Sequence, residues 1–291
     1  MNRYAIIEAP SILGLKPTGV ERLPAVLLQH GLADQLRARR AGRVVPAVAY
    51  NAERDAQTLM RNAPGIAEYS VRLADAVADV VDRGEFPILL GGDCSIVLGS
   101  TLALRRRGRY GLLFIDGHAD FYQPEALTSG EAASMDLGFA TGRGPELLTN
   151  LEGLRPLVRD EDVVAFGFRD AQEQREYGSQ PLPPAALALE LNEVRRLGAQ
   201  RAAQRAVEHL TAADKSTQGF FIHLDADVID LRRLQRASLH RSRGRCAARR
   251  RQHRQPSDQV PSCEGATLEA FYKIGNDGFH SNLRVWNCSV V

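Results

Sequence analysis

Three hydrophobic runs in this chain end abruptly in side chains that can bind a metal ion. The runs are PILLGGDCS (residues 87–95), GLLFIDGHAD (111–120) and GFFIHLDADVID (219–230). Short apolar runs bounded by glycine or polar residues are typical of buried parallel strands. Because ligands of open α/β sheets collect beyond the carboxyl ends of such strands, the three ends are predicted to meet in one crevice. The side chains expected there are Cys94, Asp116, His118, Asp120, Asp225, Asp227 and Asp230.

The composition is that of a chain with enough apolar residues for a sizeable core. Its 291 residues are 44% hydrophobic, and no run approaches the roughly 18 apolar residues that a membrane span needs. The beginning, MNRYAIIEAPSILG, has no basic segment followed by a long apolar stretch, so no secretory signal is expected. The four cysteines do not form a disulfide framework. A reducing, cytoplasmic location without membrane association is therefore expected.

Strand and helix signals alternate along the chain as far as residue 230. Strands are predicted at residues 4–7, 87–90, 112–115, 162–168, 187–190 and 220–224. Apolar residues repeat at helical spacing in residues 21–40 and 66–82, and helices are also predicted at 95–107 and 192–210. This alternation predicts an α/β fold, a three-layer α/β/α sandwich with a mainly parallel sheet.

The spacing within two of the clusters suits metal binding. In extended backbone, Asp116, His118 and Asp120 lie on one side of the chain, and so do Asp225 and Asp227. Mixed carboxylate and imidazole sites favour Mn²⁺, Mg²⁺, Zn²⁺ or Fe²⁺, and several carboxylates together can hold two ions that generate hydroxide near neutral pH. A DxHxD motif alone also fits a solvated turn, but three strand-end clusters favour a metal. His223 is expected to point away from the site and to serve as a core or supporting histidine.

These motifs resemble those of the arginase/agmatinase (ureohydrolase) family. That family carries GGDHS, DAHxD and SxDxDxxDP in this order and spacing, where this chain has GGDCS (91–95), DGHAD (116–120) and HLDADVID (223–230). The resemblance extends from the N-terminus to about residue 230. It implies an arginase-like three-layer fold, two Mn²⁺ ions and hydrolysis of a guanidino or amidino C–N bond by a metal-bridging hydroxide. It also implies that Asp120 accepts a hydrogen bond from this hydroxide as the catalytic residue, and that the metal ligands are Cys94, Asp116, His118, Asp120, Asp225 and Asp227.

Cys94 stands where the family has a metal-binding histidine. As a thiolate it would add an anion to the ligand set and raise the pKa of bound water. Three other interpretations stay open: a protonated thiol that leaves this side without an ion, a softer metal there, or a small buried residue without a ligand role. Family members that act on N-hydroxylated arginine resemble this cysteine variant, so an N-hydroxyarginine-type amidinohydrolase is an alternative.

The loop that follows DGHAD also departs from the family pattern. The proton-shuttling histidine of arginases would fall within Ala133-Ser134-Met135, where this chain has none. Two family asparagines are replaced by Tyr122 and Glu131, whereas Ser129 is kept. The resemblance makes Tyr122, Ser129 and Glu131 the substrate-binding positions, and these replacements indicate a substrate other than plain arginine. Glu131 either meets a cationic group or is an exposed loop residue without a role.

The character of the chain changes after Asp230. Residues 231–291 carry twelve basic and four acidic side chains, whereas the preceding residues carry 25 and 31. Residues 232–254 contain ten arginines without apolar periodicity, and 255–291 show neither a clear strand nor a strong helix. The expected organisation is therefore an arginase-like domain over residues 1–230, incomplete at its C-terminal end, and an Arg-rich tail over 231–291. The tail is a disordered segment, a patch for nucleic acid or an acidic partner, or the product of a reading-frame shift.

The leading prediction is a metal-dependent hydrolase of a guanidino or amidino C–N bond, with a small guanidine-type substrate. Two Mn²⁺ ions are expected, although Cys94 leaves open a single ion or another divalent metal. A homo-oligomer is expected if the C-terminal part is native, and nucleic acid is not expected as a partner. The alternatives are a catalytically silent family member with a structural or regulatory role, and the N-hydroxyarginine-type enzyme.

Overall fold

One mixed sheet of eight strands forms the centre of the molecule. The computed structural model describes residues 3–229 and 267–273. The strands are β1 (Tyr4–Ala9), β2 (Arg39–Arg43), β3 (Phe86–Gly91), β4 (Gly111–Ile115), β5 (Val163–Phe166), β6 (Leu187–Leu189), β7 (Gly219–Asp225) and β8 (Thr267–Lys273). The helices are α1 (Leu23–Gln29), α2 (Leu32–Leu36), α3 (Ala63–Asp82), α4 (Val97–Arg105), α5 (Asp136–Ala140), α6 (Glu146–Thr149), α7 (Ala171–Glu176), α8 (Leu191–Leu197) and α9 (Ala199–Leu210).

The strand order is β2-β1-β3-β8-β7-β4-β5-β6. All neighbouring pairs are parallel except those that β8 makes with β3 and β7, which are antiparallel. The prediction of a mainly parallel sheet is therefore confirmed. The carboxyl ends of β3, β4 and β7 consequently lie along the same edge of the sheet.

Alternate residues of the strands enter different apolar layers, as the two-residue period of a strand requires. Ile7 of β1 and Phe221 of β7 belong to the large core cluster with α3 and α4. Ile6 packs on the opposite face with α1 and α2, and Phe220 packs there with α8 and α9. Both faces of the sheet are thus covered by helices, and the predicted three-layer α/β/α fold is confirmed.

Two of the predicted helices are interrupted at glycines. Gly31 has φ 81° and separates α1 from α2, and Gly198 has φ 82° and separates α8 from α9. The predicted helix over 21–40 also ends too late, because residues 39–43 form β2 at the edge of the sheet. The sequence RRAGR carries no apolar signal for a strand, and such charged edge strands resist pairing with other chains. Within the sheet, Arg40 of β2 forms an ion pair with the buried Glu8 of the neighbouring strand β1, at 2.6 Å.

The strand β8 corrects the expectation that residues 255–291 contain no clear strand. It lies between β3 and β7 in the middle of the sheet and pairs with seven residues of β7. Its pairing register places Glu269 opposite His223. The boundary at residue 230 stays a prediction, and the Arg-rich run at 232–254 lies outside the described residues.

Within residues 3–229 and 267–273, no helix has both the length and the apolar character needed to cross a membrane.

Candidate metal centre

The turn after β3 delivers Cys94 to the carboxyl edge of the sheet. Gly92 allows this turn because a Cβ atom there would lie 1.8 Å from the backbone oxygen of Ser11. Asp93 caps the following short 3-10 helix by accepting a hydrogen bond from the Ser95 backbone N–H at 3.0 Å. The buried Cys94 then donates from Sγ to Asp225 Oδ2 at 2.8 Å. The clusters that follow β3 and β7 are therefore in direct contact.

The clusters that follow β4 and β7 also meet. Asp116 is 1% exposed, and its Oδ1 accepts a hydrogen bond from the His118 backbone N–H at 2.7 Å. His118 Nδ1 lies 2.9 Å from Asp227 Oδ2, and Asp227 Oδ1 accepts from the Gly117 backbone N–H at 2.9 Å. Asp225 Oδ1 accepts from the Asp227 backbone N–H at 2.7 Å. Each of these carboxylates is held by the backbone of its own or a neighbouring turn, which fixes the direction of its remaining lone pairs.

Residues 167–170 (GFRD), which follow β5, support the turns after β4 and β7. Arg169 Nη2 donates to the backbone oxygen of Asp227 at 2.8 Å. Asp170 accepts hydrogen bonds from the Ala119 backbone N–H at 3.2 and 3.3 Å and from Gln174 at 2.9 Å. These contacts position the turns that carry His118, Asp120 and Asp227.

A second acid, Asp136, lies beside Asp120. Asp120 has the left-handed backbone angle φ 44°, which aspartate tolerates better than most residues, and it is 6% exposed. Asp136 begins α5, is fully buried, and has no hydrogen-bond partner at either carboxylate oxygen among the described residues. Carboxylate oxygens of both residues lie within 4.8 Å of each other and of Cys94 Sγ.

Three groups of possible ligand atoms in the described part of the chain are spaced closely enough to hold a metal ion. In each group the donor atoms lie within 4.8 Å of one another. The groups are Cys94, Asp116 and His223; Cys94, Asp120 and Asp136; and Asp116, His118 and Asp227.

The donor atoms of these groups fit a divalent cation. Asp116 Oδ2, both oxygens of Asp136 and His223 Nε2 are buried, and they have no hydrogen-bond partner within residues 3–229 and 267–273. A buried polar atom without a partner costs free energy, and divalent cations bound at these groups would supply partners for the unpaired oxygens and the imidazole nitrogen. The set of carboxylate, imidazole and thiol donors suits a first-row transition metal.

The pKa values of the side chains in the crevice reflect this concentration of carboxylates. Burial raises the pKa values of Asp116, Asp120, Asp136 and Asp225, and the negative neighbours raise them further. The Asp116 and Asp227 carboxylates raise the pKa of His118 to about 11. Burial, followed by the charges of Asp225 and Asp136, raises the pKa of the Cys94 thiol. Positive charge is therefore favoured in this crevice, and a divalent cation would supply it.

The predicted substrate-binding residues lie on the loop between β4 and α5. Tyr122 is buried, and burial together with nearby acids raises its pKa to about 12. Ser129 Oγ accepts a hydrogen bond from the Glu131 backbone N–H at 3.3 Å. Glu131 Oε1 accepts from the Lys16 backbone N–H at 3.2 Å and lies 3.3 Å from Arg61 Nη1. A cationic substrate group would have to compete with Arg61 for this oxygen, and the substrate-binding role of all three residues stays a prediction.

Three residues near the site were not predicted from the sequence as part of it. No sequence pattern marked Asp136 or Glu269 as a site residue, and His223 was expected to point away from the site. The expected direction was wrong, because His223 and Asp225 are two residues apart in β7 and share one face, and His223 Nε2 lies 3.8 Å from Asp116 Oδ2. Asp230 lies outside the described residues.

A family model for the arginase family matches residues 3–233. The chain belongs to the arginase family. Membership confirms the resemblance drawn from the three motifs, and it supports metal-dependent hydrolysis of an amidino C–N bond at the level of the family.

Relatives within the arginase family agree with this assignment. The arginase of Bacillus caldovelox is 30% identical over 241 residues, which cover 79% of this chain and 77% of that protein. An arginase of Staphylococcus aureus (strain COL) is 28% identical over 233 residues, covering 77% and 75%. The solved Bacillus caldovelox structure superposes with a TM-score of 0.65 at 29% identity and covers 76% of this chain and 74% of that chain. Formimidoylglutamase from Bacillus subtilis shares the fold, with a TM-score of 0.54 at 16% identity, covering 80% and 67%.

The substitution Asp136→Asn should stabilise the protein in the presence of a chelator and reduce the stabilisation that Mn²⁺ provides. Removing a buried, unpaired carboxylate beside other acids should raise the free energy of unfolding by about 1–3 kcal/mol. Urea unfolding with and without Mn²⁺ measures both effects. Asp93→Ala is the comparison: Asp93 is equally buried, but its Oδ1 accepts hydrogen bonds from the Ser95 backbone N–H and hydroxyl that alanine cannot accept, so its replacement should destabilise under both conditions. Destabilisation of Asp136→Asn under chelation would contradict this interpretation.

Proposed function

We propose that this protein is a metal-dependent hydrolase of a guanidino or amidino C–N bond in a small guanidine-type substrate other than plain arginine. The observation that carries the proposal is the convergence of the strand-end clusters into three groups of closely spaced donor atoms. Several of these atoms are buried without a hydrogen-bond partner in the described residues. Family membership supplies the reaction class.

Two divalent cations, with Mn²⁺ as the expected metal, would share the crevice. Asp116 would help to hold both ions, because its carboxylate belongs both to a group with Cys94 and to the group with His118 and Asp227. Asp225 would bind on the Cys94 side, since its Oδ2 already contacts Cys94 Sγ at 2.8 Å. Asp120 would complete that side together with Asp136. The remaining predicted ligand, Cys94, would lose its hydrogen bond to Asp225 when it binds the metal.

The residues would orient water and substrate for attack on the trigonal carbon. When bound, the cations would lower the pKa of a water molecule so that hydroxide forms near neutral pH. Asp120 would accept a hydrogen bond from the attacking oxygen and hold its lone pair toward the substrate carbon. The excess of carboxylates would attract a guanidinium and stabilise the positive charge that develops on the leaving amine.

The side chains on the loop after β4 favour a substrate other than arginine. Tyr122 is a buried aromatic residue where the family pattern has asparagine, so it offers apolar surface and one hydroxyl in place of a short amide. Glu131 is paired with Arg61, and residue 133 is alanine where arginases have a proton-shuttling histidine. The leaving group would therefore take its proton from another acid or from water.

Two alternatives have specific support. Cys94 favours an N-hydroxyarginine-type amidinohydrolase, because this replacement resembles the cysteine variant of that group. The absence of a histidine at residues 133–135 favours a catalytically silent protein that still binds metal. Assembly into a homo-oligomer and a cytoplasmic location stay predictions.

Turnover of a small panel by the Mn²⁺-loaded protein tests the proposal. L-arginine, N-hydroxy-L-arginine and agmatine are incubated separately, and the released urea or hydroxyurea and amine are quantified. We expect at least one modified guanidine to be hydrolysed with a higher kcat/KM than arginine. Asp120→Asn should lower kcat by about 10²–10⁴-fold.

Asp75→Asn, which changes a carboxylate with 65% of its side-chain surface exposed on α3, should leave turnover unchanged. Two bound ions without turnover of any guanidine would refute the hydrolase and support the silent alternative. Faster turnover of arginine than of the modified guanidines would refute the substrate assignment.

A further inference from the structure

His223 is fixed within the sheet behind the Cys94 side of the crevice. It lies in β7 two residues before Asp225, and its side chain is fully buried. The ring stacks on Phe114 of β4, with ring centroids 4.4 Å apart and planes inclined by 3°. The stacking fixes the plane of the buried ring, and the contact of Nδ1 with Glu269 sets the direction of the two nitrogens.

The two ring nitrogens have different environments. His223 Nδ1 lies 2.9 Å from Glu269 Oε1, and Glu269 is itself fully buried on β8. Because a carboxylate accepts hydrogen bonds, Nδ1–H is the donor in this contact, and in the neutral ring Nε2 keeps its lone pair. Glu269 Oε2 accepts a further hydrogen bond from Ser100 of α4. Both Glu269 oxygens are thus engaged, and the carboxylate is held in place to orient the imidazole.

His223 Nε2 faces a carboxylate oxygen that, within the described residues, also has no hydrogen-bond partner. It lies 3.8 Å from Asp116 Oδ2, and neither atom has a hydrogen-bond partner in the part of the chain that the structure describes. Cys94 Sγ completes the group, in which the donor atoms lie within 4.8 Å of one another. A carboxylate that orients one imidazole nitrogen while the other faces further ligands is the usual arrangement around metal-binding histidines.

We propose that His223 provides the imidazole ligand to the cation on the Cys94 side, and that Glu269 is its positioning residue. This inference rests on the proposed metal centre. It accounts for two departures from the family motifs together: the family has histidine at the position of Cys94 and serine at the position of His223. The imidazole that is lost at the end of β3 is replaced from β7, so this side of the site keeps one neutral nitrogen donor.

The proposal predicts how metal binding responds to exchange of these residues. Co²⁺ is the probe, because its visible absorption reports coordination; bound metal per chain is measured by elemental analysis. His223→Ser and His223→Phe should each lose about one of two ions or weaken that ion by more than about 100-fold. The phenylalanine variant keeps a ring for stacking on Phe114 but has no donor. The double variant Cys94→His/His223→Ser should regain the ion that His223→Ser loses.

Glu269→Gln separates positioning from ligation. Glutamine keeps an oxygen acceptor for His223 but removes the charge, so the number of bound ions should stay the same while Co²⁺ affinity falls by about 10–100-fold. In the wild-type protein, paramagnetic NMR of the Co²⁺ form should show hyperfine-shifted signals from two imidazoles, those of His118 and His223. This second measurement does not depend on the folding of any variant.

The outcomes distinguish this inference from the proposed function. Unchanged Co²⁺ binding by both His223 variants, or a single shifted imidazole in the wild-type protein, would overturn the role of His223 while the metal centre stands. A wild-type protein that binds no divalent cation would overturn both. Loss of the ion in the His223 variants and its return in the double variant would support both.

Discussion

Mn²⁺ at about a thousand times its dissociation constant should stabilise the protein by about 4 kcal/mol per bound ion. For a domain of this size, one such ion corresponds to a rise in melting temperature of roughly 8–16 °C. The physical reason is the set of buried carboxylates at the ends of β4 and β7 and on α5, which repel one another without a cation. Differential scanning calorimetry of the chelated and the Mn²⁺-loaded protein measures the shift.

The stabilisation by Mn²⁺ should increase with pH. Burial and mutual repulsion raise the folded-state pKa values of Asp116, Asp120, Asp136 and Asp225 above their unfolded values. A carboxyl with a raised folded pKa contributes stability that is complete below about pH 4, its unfolded pKa, and is lost as the pH rises through its folded pKa. The chelated protein should therefore lose stability above about pH 4, and the cation restores it by pairing with the ionised groups.

The pKa of Asp227 is lowered, so its contribution to stability changes with pH in the opposite direction and reduces this effect. Burial disfavours its charge, but the hydrogen bond and the charge of His118 lower its pKa below the usual value. Its contribution is present above the unfolded pKa and is lost as the pH falls through the folded pKa. Four carboxyls with raised pKa values outweigh this one. A shift on Mn²⁺ addition that is equal at about pH 6 and about pH 8 would contradict the carboxylate account.

Asp116→Asn should remove both ions and lower kcat/KM by more than about 10²-fold. Asp116 is the residue that occurs in donor groups on both sides of the crevice. Asparagine can still accept the hydrogen bond from the His118 backbone N–H through its Oδ1, so the turn after β4 should keep its conformation. Elemental analysis and steady-state kinetics give the two readouts, and near-ultraviolet circular dichroism checks the fold.

Asp120→Asn provides the matched comparison. Asp120 belongs to the group with Cys94 and Asp136 and not to the group with His118 and Asp227. We therefore expect Asp120→Asn to keep the ion on the His118 side, whereas Asp116→Asn loses both. Retention of two ions by Asp116→Asn would show that this carboxylate does not help to hold both.

The strand-end clusters made much of the fold and the approximate place of the site predictable. Short apolar runs before Cys94, Asp116 and Asp225 indicate buried strands, and parallel strands place their carboxyl ends on one edge. This argument needs only local patterns, so it placed six of the donor residues near one another. Their metal-binding roles depend on side-chain directions that such patterns do not specify, and they stay predictions.

The parts that were missed depend on contacts between distant segments. Asp136 reaches Cys94 and Asp120 because the end of the long loop after β4 returns to its beginning, where the Gly138 backbone N–H donates to the Asp120 backbone oxygen at 3.3 Å. Glu269 meets His223 through the register of β8 between β3 and β7, and no local pattern marked residues 267–273 as a central strand. β2 was not predicted because its residues are charged or small. Its stabilising contacts are the ion pairs of Arg39 with Glu85 and of Arg40 with Glu8.

The number of Mn²⁺ ions bound by the purified protein tests the central claim most directly. Protein is loaded with Mn²⁺, passed through a desalting column and measured by elemental analysis against protein concentration. The proposed metal centre predicts about two ions per chain. Fewer than about 0.2 ions per chain after loading would contradict a binuclear metal centre at the ends of β3, β4 and β7.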